Sequence, residues 1–145
     1  MKKELTIKDI ASYDDKASQK LPMYGNKLSA GFPSPADDFL DKKIDLNEHL
    51  IKHPAATFFV RVEGDSMIHA GIFSGDTLIV DRSLQASNGK VVVAVLNGEF
   101  LVKRIKKIRN KIFLEAENPK YKSIEITESM PFEIWGVVTA VIHSV

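Results

Sequence analysis

From residue 57 onward, apolar and β-branched residues fall in short runs separated by turn residues. That is the pattern of strands. Residues 57–62 and 77–81 are two such runs, the second entered through Gly75-Asp76. Residues 91–96 lead into Asn97-Gly98 and continue as 99–105. Asn-Gly between two β-rich runs is a strong local hairpin signal, because both turn positions require positive φ. Residues 105–108 and 111–115 flank a further turn at Asn110, and 124–126 and 132–142 complete the set. The earlier chain reads differently. Residues 1–30 are polar and aperiodic, interrupted by Pro22, Gly25 and Asn26, and predict a flexible arm with room for a short strand. Residues 31–35 are a proline-punctuated extended segment. Residues 36–50 have helical character: Asp37 and Asp38 suit a first turn, and Phe39, Ile44, Leu46 and Leu50 line a partial apolar face. Asp45-Leu46-Asn47 could instead restart a second short helix. The pattern therefore predicts a mostly β, antiparallel domain with one or two short helices near its start.

Composition narrows the classes of function. A chain of 145 residues with 44% apolar content supports one domain and one core. A net charge of +1 provides no global field toward nucleic acid or an anionic membrane. The absence of cysteine excludes disulfides, thiolate metal sites and a thiol nucleophile. Met1-Lys2-Lys3 and Leu28-Ser29-Ala30 imitate the two ends of a secretory signal, but Asp9, Asp14, Asp15, Lys16 and Lys20 fill the space an apolar stretch would need. No run approaches the ~20 apolar residues of a membrane helix. A cytoplasmic location without membrane contact is the simplest expectation. Thirty residues ahead of the domain are too few for a helix-turn-helix with its own core.

Chemistry concentrates at two places. Gly64-Asp65-Ser66-Met67 follows a strand and is followed by Gly71 and Gly75. A serine in a glycine-flanked turn presents its hydroxyl with little obstruction, and neighbouring backbone N–H groups can face a developing oxyanion. The same tetrapeptide also suits an ordinary turn. A nucleophilic serine needs a base. His49, His53, His69 and His143 lie on unpatterned stretches, and His69 is only three residues from Ser66, so the histidines read as surface residues. Lys103 sits on the second strand of the Asn-Gly hairpin, with Leu101 and Ile105 on its face. Burial there would disfavour the ammonium form and leave a competent base. Phe100 and Val102 make the opposite face apolar as well, so the alternation leaves open which face is the core. Lys103 also begins a basic run through Lys111, which reads as a solvated strand face more readily than a nucleic-acid surface, since no aromatic residue lies among the cations. Direct DNA contact stays open. Metal-ligand clusters, phosphate-cradling loops and paired carboxylates are not evident, and no cofactor is expected.

Taken in order, Gly64-Asp65-Ser66-Met67, Gly75-Asp76-Thr77-Leu78-Ile79-Val80-Asp81 and Gly98-Glu99-Phe100-Leu101-Val102-Lys103-Arg104 resemble the LexA-like self-cleaving serine peptidases. Gly31-Phe32-Pro33-Ser34-Pro35-Ala36 and Ile44-Asp45-Leu46-Asn47 resemble its UmuD branch, whose short arm replaces the DNA-binding domain of the repressors. The resemblance covers roughly residues 30–142 and implies highly twisted, coiled antiparallel sheets shared with signal peptidases. It implies Ser66 as nucleophile, Lys103 as general base, backbone N–H groups of Asp65 and Ser66 as oxyanion donors, and a scissile bond between Ala30 and Gly31. It divides the chain into an arm, 1–30, and a peptidase-like dimerisation and accessory domain, 31–145. It further implies a homodimer, stimulation by RecA filaments on single-stranded DNA, and service of the 31–145 product to a UmuC-like Y-family polymerase in error-prone lesion bypass during the SOS response. The alternatives are a non-catalytic dimeric binding module and a phage-type repressor fragment of the same fold.

Overall fold

The structure, a computed structural model, describes residues 4–13, the backbone of 20–24 and 40–45, and residues 46–145. Two compact units emerge, residues 14–54 and the remainder of the chain.

The larger unit is built on an eight-stranded sheet. Its strands are β1 (Thr6–Ser12), β4 (Thr57–Glu63), β5 (Thr77–Asp81), β6 (Val91–Leu96), β7 (Glu99–Ile108), β8 (Lys111–Glu115), β9 (Ile124–Ile126) and β10 (Phe132–Ile142), in the spatial order β1-β4-β5-β10-β6-β7-β8-β9. All neighbouring pairs are antiparallel. The turn between β6 and β7 has φ of 51° at Asn97 and 81° at Gly98, as the Asn-Gly pair requires. The central strand β10 breaks register twice, between Val138 and Ala140 on its β5 side and between Ile134 and Gly136 on its β6 side. Such bulges bend a strand and raise its twist. The sheet accordingly curls into a half-barrel. Edge strand β1 thereby comes to share a groove with β7, lined by Glu4, Ile7, Ile10, Phe100 and Leu101.

Curling buries both faces of the middle strands. Val93 and its register partner Val102 join a cluster with Leu5, Val60, Val62, Met67, Ile72, Leu78 and Val80. Val92, Ala94, Ile105, Leu114 and Val137 form a second cluster. Period-two alternation could not select a core face on β7 because both faces are covered: Val102 is fully buried and Lys103 is 1% exposed.

The smaller unit holds the hairpin of β2 (Lys20–Tyr24) and β3 (Leu40–Asp45), followed by α1 (Leu46–Leu50). The helix expected over 36–50 is corrected here. Residues 40–45 pair as a strand with β2, from Lys20 opposite Asp45 to Tyr24 opposite Leu40, and helix begins only at Leu46. Strand pairing outweighs a partial helical stripe containing the β-branched Ile44. The arm, expected to be flexible with a short strand, carries two strands among its described residues, β1 and β2. Among the described residues, no helix is long and apolar enough to cross a membrane.

Candidate active site

Ser66 lies where β4 leaves the sheet. Gly64 adopts φ of 119°, a conformation that favours glycine, and the chain then folds through Asp65 and Ser66 into a short 3-10 turn at Ile68–Ala70. Ser66 is fully buried in this turn.

The segment following β8 clamps the turn from one side. Asn118 is buried and donates from Nδ2 to the Asp65 carbonyl at 2.9 Å. The Tyr121 hydroxyl donates to Asp65 Oδ1 at 2.5 Å. His69 N–H donates to the Glu117 carbonyl at 2.9 Å, and Glu117 N–H reaches Met67 Sδ at 3.3 Å. Glu117 is itself held by Arg104 Nε at 2.5 Å, while Arg104 Nη1 donates to the Gly89 carbonyl at 2.6 Å. Burial, first of all, and then the hydrogen bond to Asp65 and the negative charges of Asp65 and Glu4 push the Tyr121 phenol well above its ordinary range. It therefore remains a neutral donor to Asp65.

Lys103 is among the largest fully buried side chains of the protein. Its ammonium group lies 5.4 Å from the centre of the Tyr121 ring and 2.6 Å from Glu4 Oε1. Ser66 Oγ accepts a hydrogen bond of 3.0 Å from the backbone N–H of Leu5. The serine and the lysine are thus each engaged by one of two consecutive residues, Leu5 and Glu4. They are also linked through the ring and hydroxyl of Tyr121 and the backbone of Asp65. Ser66 and Lys103 are both buried, and the hydrogen bonds of their side chains run to the N-terminal segment, to Leu5 and Glu4 respectively.

Placement of the other candidates varies. Asp65 is fixed by its carbonyl and its carboxylate, as above. Ala30 and Gly31 lie outside the described residues. His143 Nδ1 is 2.5 Å from Asp76 Oδ1, and its ring packs against Phe73, so its partner is Asp76. The basic run divides its tasks. Lys103 points inward, Arg104 holds Glu117, and exposed Lys111 pairs with Glu125 at 3.6 Å. Sequence reasoning did not single out Glu4, Leu5, Asn118 or Tyr121.

A curled antiparallel sheet thus carries a buried serine and a buried lysine, each in contact with the N-terminal segment. The chain belongs to the Peptidase S24-like family, whose model matches residues 22–139. SamA of Salmonella typhimurium is 41% identical over 134 residues, 92% of this chain and 93% of that protein. MucA of Escherichia coli is 44% identical over 120 residues, 82% of each chain. The LexA repressor of Shewanella piezotolerans is 39% identical over 125 residues, 86% of this chain and 60% of the repressor. The resemblance drawn from the sequence motifs is borne out at the level of the family, and the antiparallel, mostly β expectation at the level of the fold.

Proposed function

We propose that this chain is a serine endopeptidase that cuts its own peptide bond between Ala30 and Gly31. Ser66 Oγ attacks the Ala30 carbonyl carbon as its proton passes to the neutral amine of Lys103. The resulting oxyanion is met by backbone N–H groups of Asp65 and Ser66. Collapse breaks the C–N bond, and the proton on Lys103 leaves with the Gly31 amine. Water, activated by the same amine, then releases Ala30 from the Ser66 ester. Alanine followed by glycine suits such a cleft because neither side chain obstructs entry. A substrate on the same chain also needs little intrinsic affinity.

One observation carries this reading: Ser66 and Lys103, 0% and 1% exposed, meet consecutive residues of one extended peptide. The LexA-like resemblance supports the biological setting. In that setting the chain is a cytoplasmic homodimer cut in response to RecA filaments on single-stranded DNA. Its 31–145 product acts as accessory subunit of a Y-family polymerase in SOS mutagenesis.

Incubation of the purified chain with a RecA–single-stranded-DNA filament, followed by intact-mass measurement, tests the proposal. Loss of residues 1–30 is the expected outcome. An unchanged mass would leave a binding module of the same fold.

A further inference from the structure

Residues 4–12 form an intrachain peptide seated on the candidate active site. β1 runs antiparallel to β4, from Thr6 opposite Glu63 to Ser12 opposite Phe58, with one irregularity between Ile7 and Asp9. Its leading end continues past β4 onto the Gly64-Asp65-Ser66 turn. There Leu5 is fully buried against the cluster containing Val60, Val62, Met67 and Ile72. Leu5 N–H lies 3.0 Å from Ser66 Oγ, the separation at which a reacting carbonyl carbon would have to stand. Glu4 Oε1 lies 2.6 Å from Lys103 Nζ. Glu4 thus takes up a hydrogen-bonding position of Lys103 Nζ that the serine hydroxyl would need.

The fit depends on Gly64. A Cβ at that position would stand 2.2 Å from the Glu4 carbonyl oxygen and 2.7 Å from Leu5 Cα. The turn therefore lets a peptide backbone lie directly against it. The seat is also detachable. β1 is at one end of the strand order, so its release breaks pairing with β4 alone. Most of β1 is exposed, and its side-chain ion pairs to β4, Lys8 with Glu63 at 3.2 Å and Arg61 with Asp9 at 3.9 Å, are solvent-facing pairs of small worth. Once vacated, β4 would offer an open edge for another extended strand.

From this geometry we propose that residues Glu4–Ser12 are an autoinhibitory strand. Its leading end lies against the Ser66 turn and engages both Ser66 and Lys103, so that self-cleavage requires its displacement. The proposal rests on the peptidase reading above, and its test separates the two. The full chain is compared with Glu4→Ala, which removes a half-exposed carboxylate, and with Leu5→Asp, which removes the buried anchor. Three readouts are taken: amide exchange by mass spectrometry, acylation of Lys103 by an amine-reactive ester, and the rate of cutting between Ala30 and Gly31.

Amides of residues 5–11 should be protected in the unaltered chain. In Leu5→Asp they should exchange about tenfold or more faster, while β6 and β10 keep their protection. Acylation of Lys103 and cutting should each rise by about tenfold in both variants. Unprotected 5–11 amides in the unaltered chain, or acylation unchanged in both variants, would overturn the proposal. Protection and acylation that respond as expected while no form of the chain is ever cut would uphold the seated strand and reject the peptidase reading.

Discussion

The Tyr121 hydroxyl donates to Asp65 Oδ1 at 2.5 Å across 56 residues of sequence, and the same ring lies 5.4 Å from the Lys103 ammonium. One side chain thus braces the backbone neighbour of Ser66 and walls the space around Lys103. Tyr121→Phe keeps the ring and removes the brace. Self-cleavage should slow by about tenfold, because a small misplacement of a nucleophile costs rate steeply. The melting temperature should fall only slightly. Single-turnover rates by mass, read beside a thermal melt, check this; a large fall in melting temperature with an unchanged rate would contradict it.

The raised phenol gives a stability signature at high pH. The unfolded chain releases the Tyr121 proton near the ordinary phenol value of ~10, whereas the folded chain retains it to higher pH. Above that value the unfolded state binds fewer protons, so stability falls as pH rises. The contribution is complete below ~10 and is lost above it. Denaturant midpoints measured between pH 8.5 and 11, about the range spanning that value, should decline more steeply for the unaltered chain than for Tyr121→Phe.

Lys103 is buried beside a carboxylate that is partly exposed. A buried ion pair exchanged for apolar side chains of similar volume is often neutral or stabilising by about 1–4 kcal/mol, whereas removing one partner is destabilising when the other stays buried. Lys103→Met should match that range while abolishing self-cleavage, since Glu4 is 37% exposed on its side chain and can regain water. Urea unfolding with a cleavage assay reads both effects. A strongly destabilised Lys103→Met would show that the ion pair holds the fold together.

Gly64 should tolerate no side chain. With φ of 119° and the Glu4 carbonyl oxygen 2.2 Å from the position of a Cβ, Gly64→Ala must strain the turn and push the N-terminal segment away. A loss of about 1–3 kcal/mol is expected from the backbone conformation alone. Chemical denaturation measures that loss, and amide exchange should show residues 5–11 unprotected. Normal protection there would mean that the segment and the turn do not touch in solution.

The fold was legible where local signals and tertiary demands agree. β6 and β7 announce themselves through alternation and an Asn-Gly turn, and the positive φ values at Asn97 and Gly98 follow from that pair. β1 was not legible, because its face is largely exposed and the apolar anchor, Leu5, precedes the strand. Residues 40–45 misled because Phe39, Ile44, Leu46 and Leu50 suit helical spacing, while the pairing with β2 that fixes them as strand is non-local. The site divides in the same way. Ser66 and Lys103 stand in recognisable motifs, and the structure buries both. Glu4 reaches Lys103 across 99 residues, and Asn118 and Tyr121 reach Asp65 across 53 and 56, separations at which no motif or periodicity operates.

In the proposed function a buried lysine activates Ser66 against the bond between Ala30 and Gly31. Intact mass followed over time for the unaltered chain, Ser66→Ala and Lys103→Ala addresses it directly, because the proposed step needs both the hydroxyl and the amine. The expected result is first-order loss of residues 1–30 in the unaltered chain, and no loss in either variant. Cutting at that bond in Ser66→Ala or Lys103→Ala at the unaltered rate, or a full chain whose mass never changes, would contradict it.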